Sequence, residues 1–314
     1  MEEAGGSMEG KVCLVTGATS GIGKVTAHEL AKQGATVVIV GRSRQKVEAT
    51  VEEINSRTGN QSVEYLLADL SSQKEIRSLA REFKSRYDRL DVLVNNAGAV
   101  FAEYGETEDG VERTFAVNHL NYFLLTNLLL DVLEASAPSR IVNVASGAHQ
   151  GAELDFDDLG AKQNYGFMRA YGRSKLANIM FTYELARRLE GTGVTANALH
   201  PGSVATGIGT NNDVWYVRPA LALFRLLWRQ RSKTDQFIAQ RLTTLGPESV
   251  SFVGRNPHTT GGKDVEDGPS ACCPPQGARR GTSYQCRRSR DADEPHHHKE
   301  IPEPLRTQEG RSSP

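Results

Sequence analysis

Short β-branched runs and amphipathic stretches alternate along the first two thirds of this 314-residue chain, and few folds accommodate that order. Strand-like runs fall at 11–16, 36–40, 63–67, 92–95, 140–145 and 195–199. Helical periodicity fills the intervals at 22–33, 44–57, 74–87, 111–135 and 171–190. The runs are apolar throughout rather than alternating with polar residues, as strands are when helices bury both faces of a parallel sheet. Right-handed crossovers then make the expected fold a doubly wound parallel α/β sheet in a single domain, spanning 10–240. Residues 1–9, acidic and Gly-rich, read as a flexible extension.

After about Lys233 the pattern decays. Between residues 254 and 314 the only large apolar residues are Val265, Tyr284, Ile301 and Leu305, while eight of the chain's twelve prolines lie there. Such a stretch cannot bury enough apolar surface to offset the entropy of ordering it, so 241–314 is expected to be an atypical and largely disordered tail.

Composition excludes several classes of function. A net charge of -1 gives no basis for nucleic-acid binding. No eighteen-residue apolar run is present, and the first ten residues lack the basic-then-apolar order of a secretory signal. Three of the four cysteines, Cys272, Cys273 and Cys286, lie in the tail, and Cys13 falls in a buried strand. Adjacent cysteines are not zinc-ligand spacing, even with His296, His297 and His298 nearby, so no metal is expected. The expected setting is cytoplasmic and reducing, not secreted.

Three local patterns carry chemistry. The stretch Thr16-Gly17-Ala18-Thr19-Ser20-Gly21-Ile22-Gly23 joins the first strand to a helix. Gly17 permits a tight turn, Gly21 a close backbone approach and Gly23 close packing, while the helix start offers amides and a positive dipole end to phosphate. The second strand ends in Val40-Gly41-Arg42-Ser43 without a carboxylate to bond a free ribose. Arg42 there presents donors for a 2′-phosphate, which favours NADP(H), with NAD the weaker expectation. Tyr171 and Lys175 stand four residues apart on one helix face. A neighbouring ammonium, together with the positive charge of an oxidised nicotinamide, is expected to bring the phenol pKa down from about 10 toward the working range, for acid–base work. Ser146, at the carboxyl end of the fifth strand, is placed to polarise a substrate oxygen. No step of this chemistry requires His149 or His200, which read as structural.

The glycine spacing resembles the TGxxxGxG motif of the short-chain dehydrogenase/reductase family, and the resemblance runs from about residue 11 to 233. It implies a Rossmann-type oxidoreductase domain. By resemblance, Asp69 contacts the adenine ring, and Asn95, Ala97 and Gly98 of the Asn95-Asn96-Ala97-Gly98 motif stabilise the central sheet and line the cofactor. Asn118, Ser146, Tyr171 and Lys175 match the family's catalytic set, with the Asn118 backbone anchoring a water that leads to the lysine. Tyr171 and Lys175 also touch the nicotinamide ribose. Pro201, Gly202, Val204 and Thr206 match a segment whose Val meets the carboxamide and whose Thr meets the pyrophosphate.

Within the family, residues 118–133, 146–149 and 199–208 look most like the retinol dehydrogenase branch, which implies a small lipophilic alcohol or carbonyl substrate. The nearly continuous apolar helix at 118–133 matches helices that pack family subunits together, so a homo-oligomer is expected. Residues 215–228, followed by Arg229, Arg231 and Lys233, read as a pocket cover or as a peripheral membrane contact. After Lys233 the family pattern of a further helix and strand is missing, which reads as an altered reading frame or alternative splicing. Two rival readings remain: an isomerase or dehydratase on the same scaffold, and a catalytically impaired interaction protein.

Overall fold

All six expected strands form, each within a residue of its expected bounds: β1 (Val12–Thr16), β2 (Thr36–Gly41), β3 (Val63–Leu67), β4 (Val92–Asn95), β5 (Ser139–Val144) and β6 (Val194–Leu199). The computed structural model describes residues 7–201, all within one unit of the chain. The expected tail, the segment at 215–228 and the three late cysteines lie outside the described residues. The strands form one parallel sheet in the order β3-β2-β1-β4-β5-β6. The order reverses between β1 and β4, and a crevice opens at such a switch point beyond the strands' carboxyl ends.

Neighbouring residues in a strand face opposite ways, so a sheet covered on both sides needs apolar residues at every position. Cys13, Val15, Val37 and Ile39 pack with Ala27 and Leu30 of α1 (Gly21–Lys32) and Val47 and Ile54 of α2 (Arg44–Thr58). On the other face Leu14, Val38, Leu93 and Ile141 meet α3 (Gln73–Arg86), α5 (Asn121–Ala135) and α6 (Phe167–Arg188) through Phe83, Leu129 and Leu185. Each fully buried Leu or Phe contributes about 1.5–3 kcal/mol. Asp91, just before β4 and only 3% exposed, accepts hydrogen bonds from Lys11 Nζ (2.9 Å), the Val12 amide (2.9 Å) and Arg89 Nε (2.8 Å). Burial alone would raise its pKa, but the bonds from Arg89, Val12 and Lys11 prevail and hold it below the usual carboxylate value.

Two helices differ from expectation. The stretch 111–135 is not one helix: a single turn, α4 (Arg113–Phe115), passes into a π-helical turn (Ala116–Leu120) before α5 begins. Glu112 starts it by accepting the amides of Thr114 and Phe115, each at 2.7 Å. Helix α6 starts at Phe167, one turn before Tyr171. Phe167 and Met168 are exposed, so no apolar stripe in the sequence marks that first turn. No helix among the described residues is long and apolar enough to cross a membrane.

Candidate active site

The loop after β1 and the loop after β4 close on each other at the switch point, and glycines make this approach feasible. Gly17 (φ +65°) and Gly21 (φ +55°) occupy the left-handed region that favours glycine. A Cβ on Gly17 would lie 2.7 Å from Ala97 Cα, and one on Gly23 would lie 2.6 Å from the Gly17 carbonyl oxygen. Asn96, absent from the sequence-derived set, fastens the two loops: its Nδ2 donates to the Thr16 carbonyl at 2.8 Å and to Gly17 O at 3.2 Å. Thr16 Oγ1 in turn accepts the amides of Asn96 (2.9 Å) and Ala97 (3.1 Å). Nothing in the local sequence distinguishes Asn96 from Asn95, because only the turn after β4 decides which one faces β1.

Helix α1 begins beside this clasp. Its N-cap, Ser20, is exposed and makes no side-chain cap bond. Ile22 buries its side chain against Val142, Val144 and Leu199, so what it can offer an anion is its backbone amide. An exposed hydroxyl, free-facing amides and the positive end of a 12-residue helix fit a dinucleotide phosphate. Arg42 follows β2, 70% exposed, with its Nη1 4.0 Å from Asp69 Oδ2. Arg44 is instead engaged with Tyr65 Oη at 2.8 Å. Asp69 lies two residues beyond the end of β3 rather than ending it, and its Oδ1 accepts from the Ser71 amide (2.9 Å) and hydroxyl (2.7 Å). The N-cap of α3 is Ser72. Asn95 is fully buried and its Nδ2 donates to Thr126 Oγ1 (2.9 Å) and Asn143 Oδ1 (2.8 Å), so its side chain secures the sheet.

Ser146 lies two residues beyond the end of β5, at the start of a 3-10 turn (Gly147–His149), where its Oγ accepts the Ala148 amide at 3.2 Å. The same hydroxyl neighbours the Tyr171 phenol and acts to lower its pKa. Helix α6 approaches this turn through Gly172, where a Cβ would lie 2.7 Å from the Ala148 carbonyl oxygen and 3.3 Å from Ala152 Cβ. One turn farther along, Lys175 is 3% exposed and its Nζ donates to the Val144 carbonyl at 2.9 Å. Gly98 brings bare backbone beside it: a Cβ there would lie 3.7 Å from Lys175 Nζ and 3.2 Å from Asn118 Oδ1.

Burial raises the Tyr171 pKa above its ordinary value, with Ser146 acting the other way. Burial also pushes Lys175 down from 10.5 to about 7. Within the protein's own residues, desolvation of both charged forms thus opposes the expected lowering of the phenol pKa.

Asn118 sits in the π-helical turn, a geometry that recurs at functional sites. Its side chain accepts the Ala99 amide (2.7 Å) and donates to Ala99 O (2.9 Å) and Ser174 Oγ (3.1 Å), while its carbonyl accepts Asn178 Nδ2 (2.8 Å). Asn178 Oδ1 meets His119 Nδ1 at 3.0 Å, and Thr182 Oγ1, which donates to Asn178 O, accepts Asn143 Nδ2 at 2.9 Å. A buried polar chain thus runs from β5 through α6 to the π turn. Pro201 follows β6 at the carboxyl edge, whereas Gly202, Val204 and Thr206 lie outside the described residues.

The sequence pattern of the short chain dehydrogenase family matches residues 11–216. Retinol dehydrogenase 13 of Homo sapiens is 48% identical over 209 residues, which are 66% of this chain and 63% of that protein. The chain thus spans less than two thirds of that relative's length. Among solved structures, an uncharacterized protein from Mycobacterium Paratuberculosis superposes with a TM-score of 0.62 at 35% identity, covering 79% of this chain and 81% of its own. RhlG of Pseudomonas aeruginosa, in its NADP active-site complex, superposes with a TM-score of 0.54 at 31% identity, covering 64% and 75%.

Proposed function

The chain belongs to the short chain dehydrogenase family, and from that membership we propose that it transfers hydride between NADP(H) and a small lipophilic alcohol or the corresponding aldehyde or ketone. The observation that carries the proposal is the convergence of Ser146, the neighbouring Tyr171 phenol and the buried Lys175 at the carboxyl edge of the sheet beside the glycine loop. A bound nicotinamide cofactor supplies or accepts the hydride. Tyr171 Oη gives its proton to the substrate oxygen in reduction and takes it back in oxidation, and its raised pKa keeps that proton in place at neutral pH. Ser146 Oγ orients the same oxygen and stabilises its developing charge. Lys175 Nζ provides positive charge behind the phenol and donors for the nicotinamide ribose. Asn118, held on three sides, fixes the π turn that backs the lysine.

Gly17, Ser20, Gly21, Ile22 and Gly23 would hold the pyrophosphate, with Ala97 and Gly98 against the nicotinamide half and Asp69 near the adenine. Arg42 supports NADP(H) over NAD(H), because its exposed guanidinium just after β2 would offer donors to a 2′-phosphate and carries one carboxylate neighbour 4.0 Å away. A lipophilic substrate is supported by the retinol dehydrogenase relative. Phe123 and Met180, each 48% exposed on α5 and α6, support a homo-oligomer through that face. The unfamiliar sequence after Lys233 is proposed to arise from alternative splicing, which cDNA restoring an apolar strand there would bear out. The test of function is NADPH consumption by the full chain against a panel of aldehydes and ketones, with NADH in parallel. Oxidation of NADPH with a long-chain aldehyde is expected. Retained nucleotide with no net change in absorbance would favour an isomerase or dehydratase instead.

A further inference from the structure

An ammonium that is 3% exposed needs negative potential close by, and among the described residues no carboxylate acts on Lys175. From β5 comes the Val144 carbonyl, the acceptor of Lys175 Nζ. From its own helix comes the Tyr171 ring, whose centroid is 5.7 Å from Nζ. From the π turn come Asn118 and His119, and the His119 pKa is lowered chiefly by burial and further by Lys175 itself. From α5 comes Tyr122, fully buried, with its ring centroid 5.5 Å from Nζ. Both rings are within the roughly 6 Å at which a cation is attracted to an aromatic face.

Tyr122 has no part in the chemistry described above, and its hydroxyl raises a question of its own. That oxygen is buried without a hydrogen-bond partner among the described residues. Such a group is destabilising, so the hydroxyl gives no reason for a tyrosine here. The ring face does. The π turn inserts an extra residue into the helical path, and an extra residue rotates the following helix by about 100°. With this phase Tyr122 points inward beneath the lysine while Phe123, its neighbour, is 48% exposed.

We propose that Tyr122 is a positioning residue for Lys175, its buried ring forming a cation–π floor that holds the ammonium between two aromatic faces. The assignment rests on the proposed hydride-transfer site for its functional meaning, but its physical content concerns the protein alone. In low dielectric a ring face under the ammonium favours the protonated lysine about tenfold or more. The platform therefore works against the burial that drives the amine toward neutrality, and keeps a cation behind Tyr171 at neutral pH.

The experiment follows the lysine directly and needs no turnover. Lysine labelled with carbon-13 at Cε in the full chain gives a signal for Lys175, assigned by its loss in Lys175→Arg and titrated between pH 5 and 10. With Tyr122→Phe the midpoint is expected to stay within about 0.3 pH units of the parent, because the face remains. Fluorinated phenylalanines at position 122 keep the shape but drain the face, and the midpoint is expected to fall stepwise, by about one pH unit for the trifluorinated ring. Tyr122→Leu should titrate lower as well. A midpoint indifferent to fluorination overturns the proposal. So does a Tyr122→Phe midpoint as low as the fluorinated series, since the hydroxyl would then be the acting group. An inactive protein with the expected titrations would sink the proposed function and leave the platform standing.

Discussion

Replacing Lys175 with Met should stabilise the protein while abolishing its chemistry, and the gain should depend on pH in a defined way. The folded chain lowers the Lys175 pKa from 10.5 to about 7 by burial. At about 1.4 kcal/mol for each pH unit, holding the ammonium inside costs about 5 kcal/mol wherever the lysine is charged in both states. Met fills nearly the same volume but leaves the Val144 carbonyl without its donor, a loss of about 1 kcal/mol. The net expectation at pH 6 is a variant more stable than the parent by about 4 kcal/mol. Between pH 7 and 10.5 the unfolded lysine holds a proton that the folded one has released, so parent stability rises with pH across this window. The advantage of Lys175→Met should therefore be full below pH 7 and shrink by roughly 3 kcal/mol by pH 9. Urea unfolding of both proteins at pH 6, 7.5 and 9, with unchanged slopes, measures this. Equal stability at pH 6, or an advantage that does not vary with pH, would refute the account of the buried ammonium.

Other perturbations separate the remaining roles. Tyr171→Phe removes the proton donor and should cut turnover at least about 100-fold, with nucleotide affinity by fluorescence titration nearly unchanged; activity within threefold of the parent would exclude Tyr171 as the acid. Arg42→Asp should lower or invert the preference for NADPH over NADH, chiefly through KM, and an unchanged ratio would place the 2′-phosphate elsewhere. Gly172→Ala puts a methyl 2.7 Å from the Ala148 carbonyl oxygen, so α6 and the turn carrying Ser146 must separate; a stability loss of about 1–3 kcal/mol and a fall in kcat are expected, and full activity would show that the turn yields freely.

The sequence by itself determined the strands, their parallel order of use and the residue types at the site. Apolar runs such as Val12–Thr16 have one stable use, between two helical layers, and the tight turns at Gly17 and Gly21 are encoded in the only residue that adopts them at no cost. The Tyr171–Lys175 spacing likewise fixes a shared helix face wherever that helix begins. What the sequence did not determine depends on partners distant along the chain. Asn95 and Asn96 are identical side chains one residue apart, yet strand alternation and the turn after β4 send the first to Thr126 and Asn143 and the second to Thr16. The break in the expected 111–135 helix carries no Gly or Pro signal, because the π turn is held from outside by Asn178 on α6 and Ala99 after β4. The phase of α5, and with it the choice of Tyr122 over Phe123 to lie beneath the lysine, follows from that turn. The burial of Tyr171 and Lys175, and the pKa directions it sets, were not legible in their spacing for the same reason: proximity along a helix is local, whereas desolvation is set by every element that packs over the pair.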